Sequence, residues 1–393
     1  MTMYISPELK EKIGKFKKDK RAFYSLVVLS TLFLLSLPAE LIFNERPLIM
    51  SVDGNRYYPA LGEEVSLSDF GGDSAVPITN FQSKELMDFL NGIAPEEVDL
   101  SSMFGDEDED EEEEEMEETV ATLTLAKHDY SFIWALVRYD EAAHTYKPSG
   151  ERVALLSPAE SRGDGHYLGT DKEGKDVLAR VVYGFRISLG FGVGLALTST
   201  IIGCLIGAFQ GFFGGLIDLF GQRLTEVWGS MPRLYLLIIF SSFLVSQGQL
   251  DNNLHMLVLF GILNLTAWMG MAAYMRAEFL RSRNLEYVKA ARALGVSDFK
   301  IMLHHILPNS LTPIITFFPF AVSGGIFALV SLDFLALGVR YPAPSLGELL
   351  NQGKDNLHAL WILIPTFIVL TVTLTLLTFV GEGVRNAFDP RRH

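Results

Sequence analysis

One polar segment between two long apolar spans reads Glu286-Tyr-Val-Lys-Ala-Ala-Arg-Ala-Leu-Gly-Val-Ser-Asp-Phe-Lys-Ile-Met-Leu-His-His-Ile-Leu-Pro-Asn309. Its alanine-rich first half favours helix, and Gly295 interrupts that helix. Ser297 can then cap a second short helix, which Pro308 ends. Two short helices joined at a glycine, on the water side of a membrane, form a rigid knob that another protein can grip. We call residues 286–309 the elbow.

The spans on either side of the elbow belong to a chain that is strongly segregated into apolar and polar stretches. Of its 393 residues, 49% are hydrophobic and 20% are charged. The net charge of −15 is concentrated in the tract 106–118, which holds twelve carboxylates, so the rest of the chain is nearly neutral. No basic face with interleaved aromatics occurs, which argues against nucleic-acid binding. The single cysteine, Cys204, excludes a disulfide within the chain and a cysteine-based metal site.

Six segments are long and apolar enough to cross a bilayer, since a spanning helix needs about 20 residues. The sequence therefore predicts an all-α polytopic membrane protein with six transmembrane helices. Basic residues in the N-terminal segment 1–21, in the elbow region and in the tail 382–393 predict that these three parts lie in the cytoplasm. The predicted spans are 22–43, 187–212, 219–245, 255–274, 311–337 and 360–380, the last five of them within a membrane core of residues 187–381.

Residues 44–186, between the first two spans, are predicted to form a small α+β extracytoplasmic insert. Residues 49–58 indicate a hairpin that turns at Asp53-Gly54 or Gly54-Asn55, residues 82–91 a short helix, and residues 119–125 a strand. The acidic tract 106–118 is predicted to be mobile, because it contains too little apolar surface to fold. It is interpreted as a solvated loop, with attraction of cationic peptides or divalent ions as the alternative.

Glycines recur in the second span at a spacing of four residues, at Gly203, Gly207 and Gly211. Small residues at this spacing let two helix backbones approach closely in lipid. The pattern predicts that the second span lies inside a helix bundle.

The pattern Lys289-Ala290-Ala291, Gly295 and Pro308-Asn309 resembles the coupling-helix loop, or EAA loop, of ABC-importer permeases. The resemblance implies that residues 277–309 contain the contact with a separate ATPase. Lys289 occupies the position of the motif's glutamate, so a role that depends on that carboxylate is not carried over. The predicted coupling residues are Glu286, Lys289, Ala290, Ala291, Leu294, Gly295 and Pro308.

A second segment, His166-Tyr-Leu-Gly-Thr-Asp-Lys-Glu-Gly-Lys-Asp-Val-Leu-Ala-Arg180, resembles one in permeases of the dipeptide, oligopeptide and nickel family. The resemblance extends over residues 166–390. The preceding insert is similar to that of the microcin C-type peptide-importer permeases, although the acidic tract is not part of that pattern. Asp176 can cap a helix that begins at the membrane surface. Asp171, Lys175 and Asp176 are the predicted residues that face a binding protein.

These resemblances imply a complex in the bacterial inner membrane. Its other members would be a second, different permease subunit, two ATP-binding subunits or one fused ATPase, and a periplasmic substrate-binding protein. This chain has no phosphate-binding loop, so ATP would be bound by the partners and no cofactor is expected here. The implied cargo is a peptide; nickel or another small solute is the alternative. An intramembrane enzyme lacks its catalytic groups here, and a receptor lacks an output domain, so no catalytic residue is assigned.

Ionisable residues at membrane depth are candidates for a translocation path. Asp333, near the end of the fifth span, could meet a charged cargo or could bond to a neighbouring helix, and both interpretations stay open. Glu226 is the other candidate, although Arg223 three residues earlier favours an ion pair on one helix face. His304 and His305 diverge by about 100° on a helix, so they predict no chelate, and no metal ligand is assigned.

Overall fold

The computed structural model describes residues 7–72, 76–78, 80–81, 83–93, 127–140, 143, 145, 153–232, 235–236, 238–240, 242, 252–339 and 342–388. The chain forms two compact units. A helical unit comprises Met1–Ala39 and Glu141–His393, and an insert unit comprises Glu40–Asp140. The structure thus assigns residues 141–186 to the helical unit, so the separately folded part of the insert is shorter than predicted. The acidic tract and the predicted strand 119–125 lie outside the described residues.

Four helical stretches in the described part of the chain are long and apolar enough to cross a membrane. They are Val177–Phe213, Leu254–Ser282, Asp298–Phe334 and Leu360–Phe388. They contain the predicted second, fourth and sixth spans and most of the fifth, whose helix ends at Phe334 and not at residue 337. The helical unit has α1 (Pro7–Lys18), α2 (Lys20–Ser36), α5 (Pro158–Ser161), α6 (Val177–Phe213), α7 (Gly215–Ser230), α8 (Asn252–Ala267), α9 (Met269–Ser282), α10 (Glu286–Ala293), α11 (Asp298–Lys300), α12 (Leu311–Phe334), α13 (Leu346–Asp355) and α14 (Leu360–Phe388).

The predicted first and third spans are represented by shorter helices. In the first, α2 has 17 residues and ends at Ser36, just before Leu37 and Pro38. A separate short helix, α3 (Ala39–Ile42), follows. In the third, α7 ends at Ser230, and most of residues 231–251 lie outside the described part of the chain. Six complete spans therefore remain a prediction.

Helix α6 packs closely against α9 along the glycines that the sequence singled out. A Cβ atom added at Gly207 would lie 2.3 Å from the carbonyl oxygen of Ala272, and one at Gly211 would lie 2.5 Å from that of Arg276. Both separations are shorter than any real contact of a Cβ atom, so side chains cannot occupy these positions without moving α9. The prediction that these glycines permit close helix packing is confirmed.

The N-terminal half of α6 packs against α12 and α14 through a second apolar cluster. Val322 and Ile326 of α12 are buried in it, together with Ile362 of α14. Gly192 of α6 again allows the close approach, because a Cβ atom there would lie 2.6 Å from the Ile326 side chain.

The helix after the elbow corrects the sequence prediction. Pro308 does not end a short second helix, because helical structure continues from Asp298 to Phe334. The residues around the proline are irregular: Ile301–Ile306 form a π-helix and Leu307–Ser310 a 3₁₀-helix. Proline is tolerated where the backbone departs from the regular α-helical bonding pattern.

The insert unit contains a three-stranded antiparallel sheet in the order β2-β1-β3, with β1 (Ile49–Val52), β2 (Asn55–Tyr57) and β3 (Tyr130–Ile133). The predicted hairpin is present, and Asp53 and Gly54 form its turn with φ of 50° and 84°. Helix α4 (Lys84–Leu90) lies within the predicted segment 82–91. Its Leu86 and Leu90 pack with the buried strand residues in one small core.

Candidate functional site

The bend of the elbow is a backbone structure that depends on glycine. Helix α10 ends in a Schellman motif, in which the Val296 amide donates to the Ala291 carbonyl at 3.1 Å and the Gly295 amide to Arg292 at 3.0 Å. Gly295 has a φ of +79°, in the left-handed region. These bonds satisfy carbonyls at the helix end, so the bend keeps its shape without help from outward-facing side chains.

The elbow has an apolar base and an apolar tip. At the base, Val288 and Ala291 are buried against Ile301 and Ile306, in a cluster that also contains Phe279 of α9. We call the two exposed apolar residues of the elbow its tip: Leu294 is 84% exposed and Phe299 is 71% exposed. Phe299 also lines an apolar cavity together with Phe279 and Met302 of the base. Exposed apolar side chains on an otherwise polar segment are candidates for a surface that another protein covers.

Charged side chains surround the tip in pairs. The Lys289 ammonium lies 3.0 Å from the Glu286 carboxylate, one helical turn away. The Arg292 guanidinium lies 3.2 Å from Asp298 across the glycine bend, and it also stacks 5.5 Å from the ring centroid of Phe212. The first pair is exposed, so its contribution to stability is small. The second pair joins α10 to α11 across the bend, and the contact with Phe212 connects both to the end of α6.

Two further arginines connect the end of α9 to neighbouring helices at the same end of the bundle. The Arg283 guanidinium donates to the carbonyls of Gly211 and Phe212, both at 3.4 Å, and so places a positive charge at the C-terminus of α6. Arg276 forms a two-pronged ion pair with Asp218 of α7. The elbow is therefore attached to α6 and α9, and α9 is in turn joined to α7.

At the opposite end of α6, the structure contains a buried ion network. The Arg180 guanidinium donates to Asp171 at 2.5 Å and to Glu348 of α13 at 2.8 Å. The Asp176 carboxylate accepts from the Ala179 amide at 2.7 Å, which confirms it as the N-cap of α6, and it lies 2.8 Å from His166 Nδ1. These contacts join the segment before α6 to the helix that follows α12.

The prediction that Asp171, Lys175 and Asp176 face a binding protein needs correction. All three residues are fully buried, so none of them presents a surface to a partner. The Lys175 ammonium lies 3.8 Å from Glu173. Burial, with a smaller effect of the Arg180 charge, lowers the pKa of Lys175, while the carboxylates of Glu173 and Asp171 oppose this change.

The two translocation candidates are both engaged in local contacts. Asp333 is buried, and its carboxylate accepts from Ser345 Oγ at 2.5 Å and from the Val339 amide at 2.7 Å. It therefore holds the loop between α12 and α13, which agrees with the structural alternative. Glu226 is exposed and lies 2.6 Å from Arg223. Within the described residues, no three His, Cys, Asp or Glu side chains lie close enough to hold a metal ion.

Comparison with known proteins decides the family. Residues 199–393 match the family of binding-protein-dependent transport system inner membrane components. The inner membrane ABC transporter permease protein YejE of Escherichia coli K12 is 39% identical over 388 residues, which cover 99% of this chain and 98% of that protein. This chain belongs to the ABC-importer permease family.

Two other relatives carry more specific names. The permease is 39% identical over 393 residues to the peptidoglycan transport system permease protein YejE of Agrobacterium fabrum, covering 99% of this chain and 94% of that protein. It is 35% identical over 239 residues to the oligopeptide transport system permease protein OppC of Escherichia coli K12, covering 61% and 76%. The permease is thus a transporter subunit that resides in a membrane, and it is not an enzyme.

Most of the coupling residues that the sequence predicts lie on the surface of the elbow. Six of the seven predicted coupling residues are exposed, and Ala291 lies beneath them in the apolar base. Sequence reasoning missed Phe299, whose signal is a large apolar side chain between polar neighbours. It also missed the ion pair between Arg180 and Glu348, because 168 residues separate the two.

Replacing Gly295 by glutamate should uncouple the permease from ATP hydrolysis. A left-handed backbone conformation costs an L-residue about 1–2 kcal/mol. A Cβ atom added at Gly295 meets nothing within 4 Å, so the substitution strains the backbone of the bend and does not collide with neighbouring residues. We expect the complex to assemble and hydrolyse ATP while uptake falls. Gly295→Asn is the matched control, since asparagine tolerates this conformation and should retain uptake. Normal uptake by the glutamate variant would contradict the prediction.

Proposed function

We propose that this permease imports peptides across the bacterial inner membrane, as one of two different permease subunits in a complex. Two ATP-binding subunits, or one fused ATPase, contact the elbow from the cytoplasm, and a periplasmic binding protein delivers the cargo. The N- and C-termini lie in the cytoplasm. The observation that carries this proposal is the elbow itself, with Leu294 and Phe299 exposed on a buried apolar base.

The distance between the elbow and the buried ion network supports this orientation. The elbow contacts Phe212 at one end of α6, and the network surrounds Arg180 at the other. Helix α6 has 37 residues and is therefore about 55 Å long. The hydrocarbon core of a bilayer is only about 30 Å thick. The two features consequently belong on opposite sides of the membrane, and the basic elbow belongs on the cytoplasmic side.

The mounting of the elbow explains how force from an ATPase would reach the membrane helices. A partner that encloses Leu294 and Phe299 holds a body that is packed onto α9 through Phe279 and joined to α6 through Arg283. When ATP closes the two ATPases, the paired elbows move together, and the helices attached to them change their inclination. The energy passes as a difference in contacts between two arrangements of the helices, without covalent chemistry on this chain.

Peptides, or molecules that contain a peptide, are the cargo named for several of the relatives. Their names refer to oligopeptides, dipeptides and peptidoglycan, and a peptidoglycan fragment includes a short peptide. Proteoliposomes that contain the assembled complex should take up radiolabelled trialanine or a radiolabelled cell-wall tripeptide. The binding protein is added on the outside, and ATP is supplied in the lumen, on the side where the ATPase subunits lie. Uptake of nickel ions with neither peptide transported would overturn the peptide assignment.

Replacing Leu294 by aspartate should remove the contact with the ATPase. The side chain is almost fully exposed, so the fold does not depend on it, but a charge placed in an apolar groove of the partner would be desolvated without compensation. We expect the ATPase to be lost from the purified complex and peptide uptake to fall at least about tenfold.

The matched control is Leu294→Met, which keeps an apolar tip of similar volume and should retain both ATPase and uptake. Melting temperatures of the isolated permease in detergent should be the same for both variants. Retention of the ATPase by the aspartate variant at wild-type stoichiometry would show that Leu294 is not the contact.

A further inference from the structure

A group of basic side chains lies where α1 meets α2. Residues 10–21, which run from the first helix into the second, contain seven basic and two acidic residues. Within the part of the chain that the structure describes, four of the basic side chains are exposed and lie more than 4 Å from any carboxylate. We call these four residues the basic patch: Lys17, Lys18, Lys20 and Arg21.

The other charged residues next to the basic patch make contacts within the chain. The Lys15 ammonium lies 2.9 Å from the Glu11 carboxylate, and the Lys12 ammonium lies 5.0 Å from the ring centroid of Phe388. The carboxylate of Asp19 accepts from an amide in the first turn of α2 and so caps that helix. Asp19 offsets one of the four positive charges at most, so the patch remains strongly basic.

The position of the basic patch is fixed by the packing of α1 and α2 onto the end of α14. A Cβ atom added at Gly383 of α14 would lie 2.1 Å from the Ala22 side chain and 3.2 Å from that of Phe16. The three helices therefore meet without room for a side chain at this glycine. This end of α14 also carries Glu382 and Arg385, which are exposed and opposite in charge, so together they do not neutralise the patch.

Exposed apolar side chains begin just beyond the basic patch on α2. Tyr24 is 61% exposed, and Val27 and Val28 are each 44% exposed. Such a face is suited to lipid tails, and tyrosine is typical of the boundary between lipid and water. Lys20 precedes Tyr24 by one helical turn, which is about 6 Å along the axis. With the apolar face of α2 in the hydrocarbon, the basic patch is at the depth of the lipid headgroups.

We propose that the basic patch binds the phosphate groups of anionic phospholipids in the cytoplasmic leaflet. This inference rests on the proposed orientation, in which the N-terminus lies in the cytoplasm. Each basic residue close to an anionic membrane surface strengthens binding about fivefold. The lipid phosphates supply counter-charges that the described residues do not supply to the patch. They also hold α1 at the membrane surface, where it packs on the end of α14.

Fluorescence quenching by labelled lipids tests the proposal. The full-length permease carries Cys204→Ser, which removes its only cysteine, and a bimane label on Ile13→Cys, an exposed position of α1. It is placed in phosphatidylcholine nanodiscs that contain a doxyl-labelled lipid. We expect doxyl-phosphatidylglycerol to quench the label at a concentration at least about tenfold lower than doxyl-phosphatidylcholine. Equal quenching by the two lipids would overturn the proposal, and this comparison needs no change in the basic patch.

Replacing all four residues of the basic patch by glutamine should abolish the preference for phosphatidylglycerol. The side chains are exposed, so the change removes charge without disturbing the packing on α14. An unchanged preference in this variant would show that the headgroups bind elsewhere. The matched control keeps every charge and should retain the preference within about twofold. It carries four exchanges: Lys17→Arg, Lys18→Arg, Lys20→Arg and Arg21→Lys.

The lipid proposal and the proposed function fail separately. Quenching is measured without ATP, binding protein or cargo, so it is informative whether or not the complex imports peptide. If the complex imports peptide and the label shows no preference for phosphatidylglycerol, the lipid site is rejected and the transport function stands. If the preference is present and no peptide is taken up, the transport function alone is rejected.

Discussion

Replacing Arg180 by methionine is expected to prevent the permease from accumulating as a folded protein. The Arg180 side chain is 1% exposed and holds Asp171 and Glu348 at hydrogen-bond distance. Its removal leaves Asp171, which is fully buried, without its cationic partner. Breaking a buried ion pair in this way costs about 3–5 kcal/mol. That is a large part of the total stability of a protein domain, which is about 5–15 kcal/mol.

The measurement is the amount of monodisperse permease recovered in detergent, together with its melting temperature. Arg223→Met is the matched control, because it removes the same group from an exposed pair with Glu226 on α7. Exposed pairs contribute little, so this control should melt close to the wild-type temperature. If both variants were recovered equally well, the network around Arg180 would not stabilise the fold as its geometry indicates.

The second large effect is expected for Gly207→Leu. The first carbon of any side chain at this position would lie 2.3 Å from the Ala272 carbonyl oxygen, so α6 and α9 would have to separate. Overpacking of this kind costs about 1–3 kcal/mol or more. The loss is increased because the contacts at Gly203 and Gly211 depend on the same close approach. The base of the elbow belongs to this interface, so uptake should be abolished in whatever protein remains.

The chain supplies a matched control in the same helix. Gly190 is exposed, and a Cβ atom there meets nothing within 4 Å. Gly190→Leu makes the same chemical change without a collision and also improves helix propensity. We expect it to melt at or above the wild-type temperature, while Gly207→Leu melts lower or is not recovered. Similar melting temperatures for the two variants would show that the spacing of α6 and α9 is adjustable.

The features that the sequence predicts correctly are those determined by near neighbours. The break at Gly295, the cap at Asp176 and the turn at Asp53-Gly54 each follow from residues within a few positions. The glycine spacing in α6 is also local, because one helix face is enough to define it. For these features, conformational preference and tertiary structure agree.

The features that the sequence did not predict depend on distant partners or on competition between local rules. Glu348 reaches Arg180 across 168 residues, so no spacing along the chain could indicate the pair. The burial of Lys175 follows from that same enclosure. At Pro308 a stop signal was predicted, but packing of Ile301 and Ile306 keeps the backbone helical through the proline. Tertiary packing outweighs local propensity there.

The shape of the elbow and its outer surface are set by different residues. The bend is fixed by backbone bonds at Gly295 and by the buried Val288 and Ala291, while Lys289 and Leu294 point outward. Outward positions can therefore diverge over evolution without a cost in folding. A substitution at an outward position such as 289 therefore changes the charge on the surface of the elbow while the bend and its apolar base stay the same.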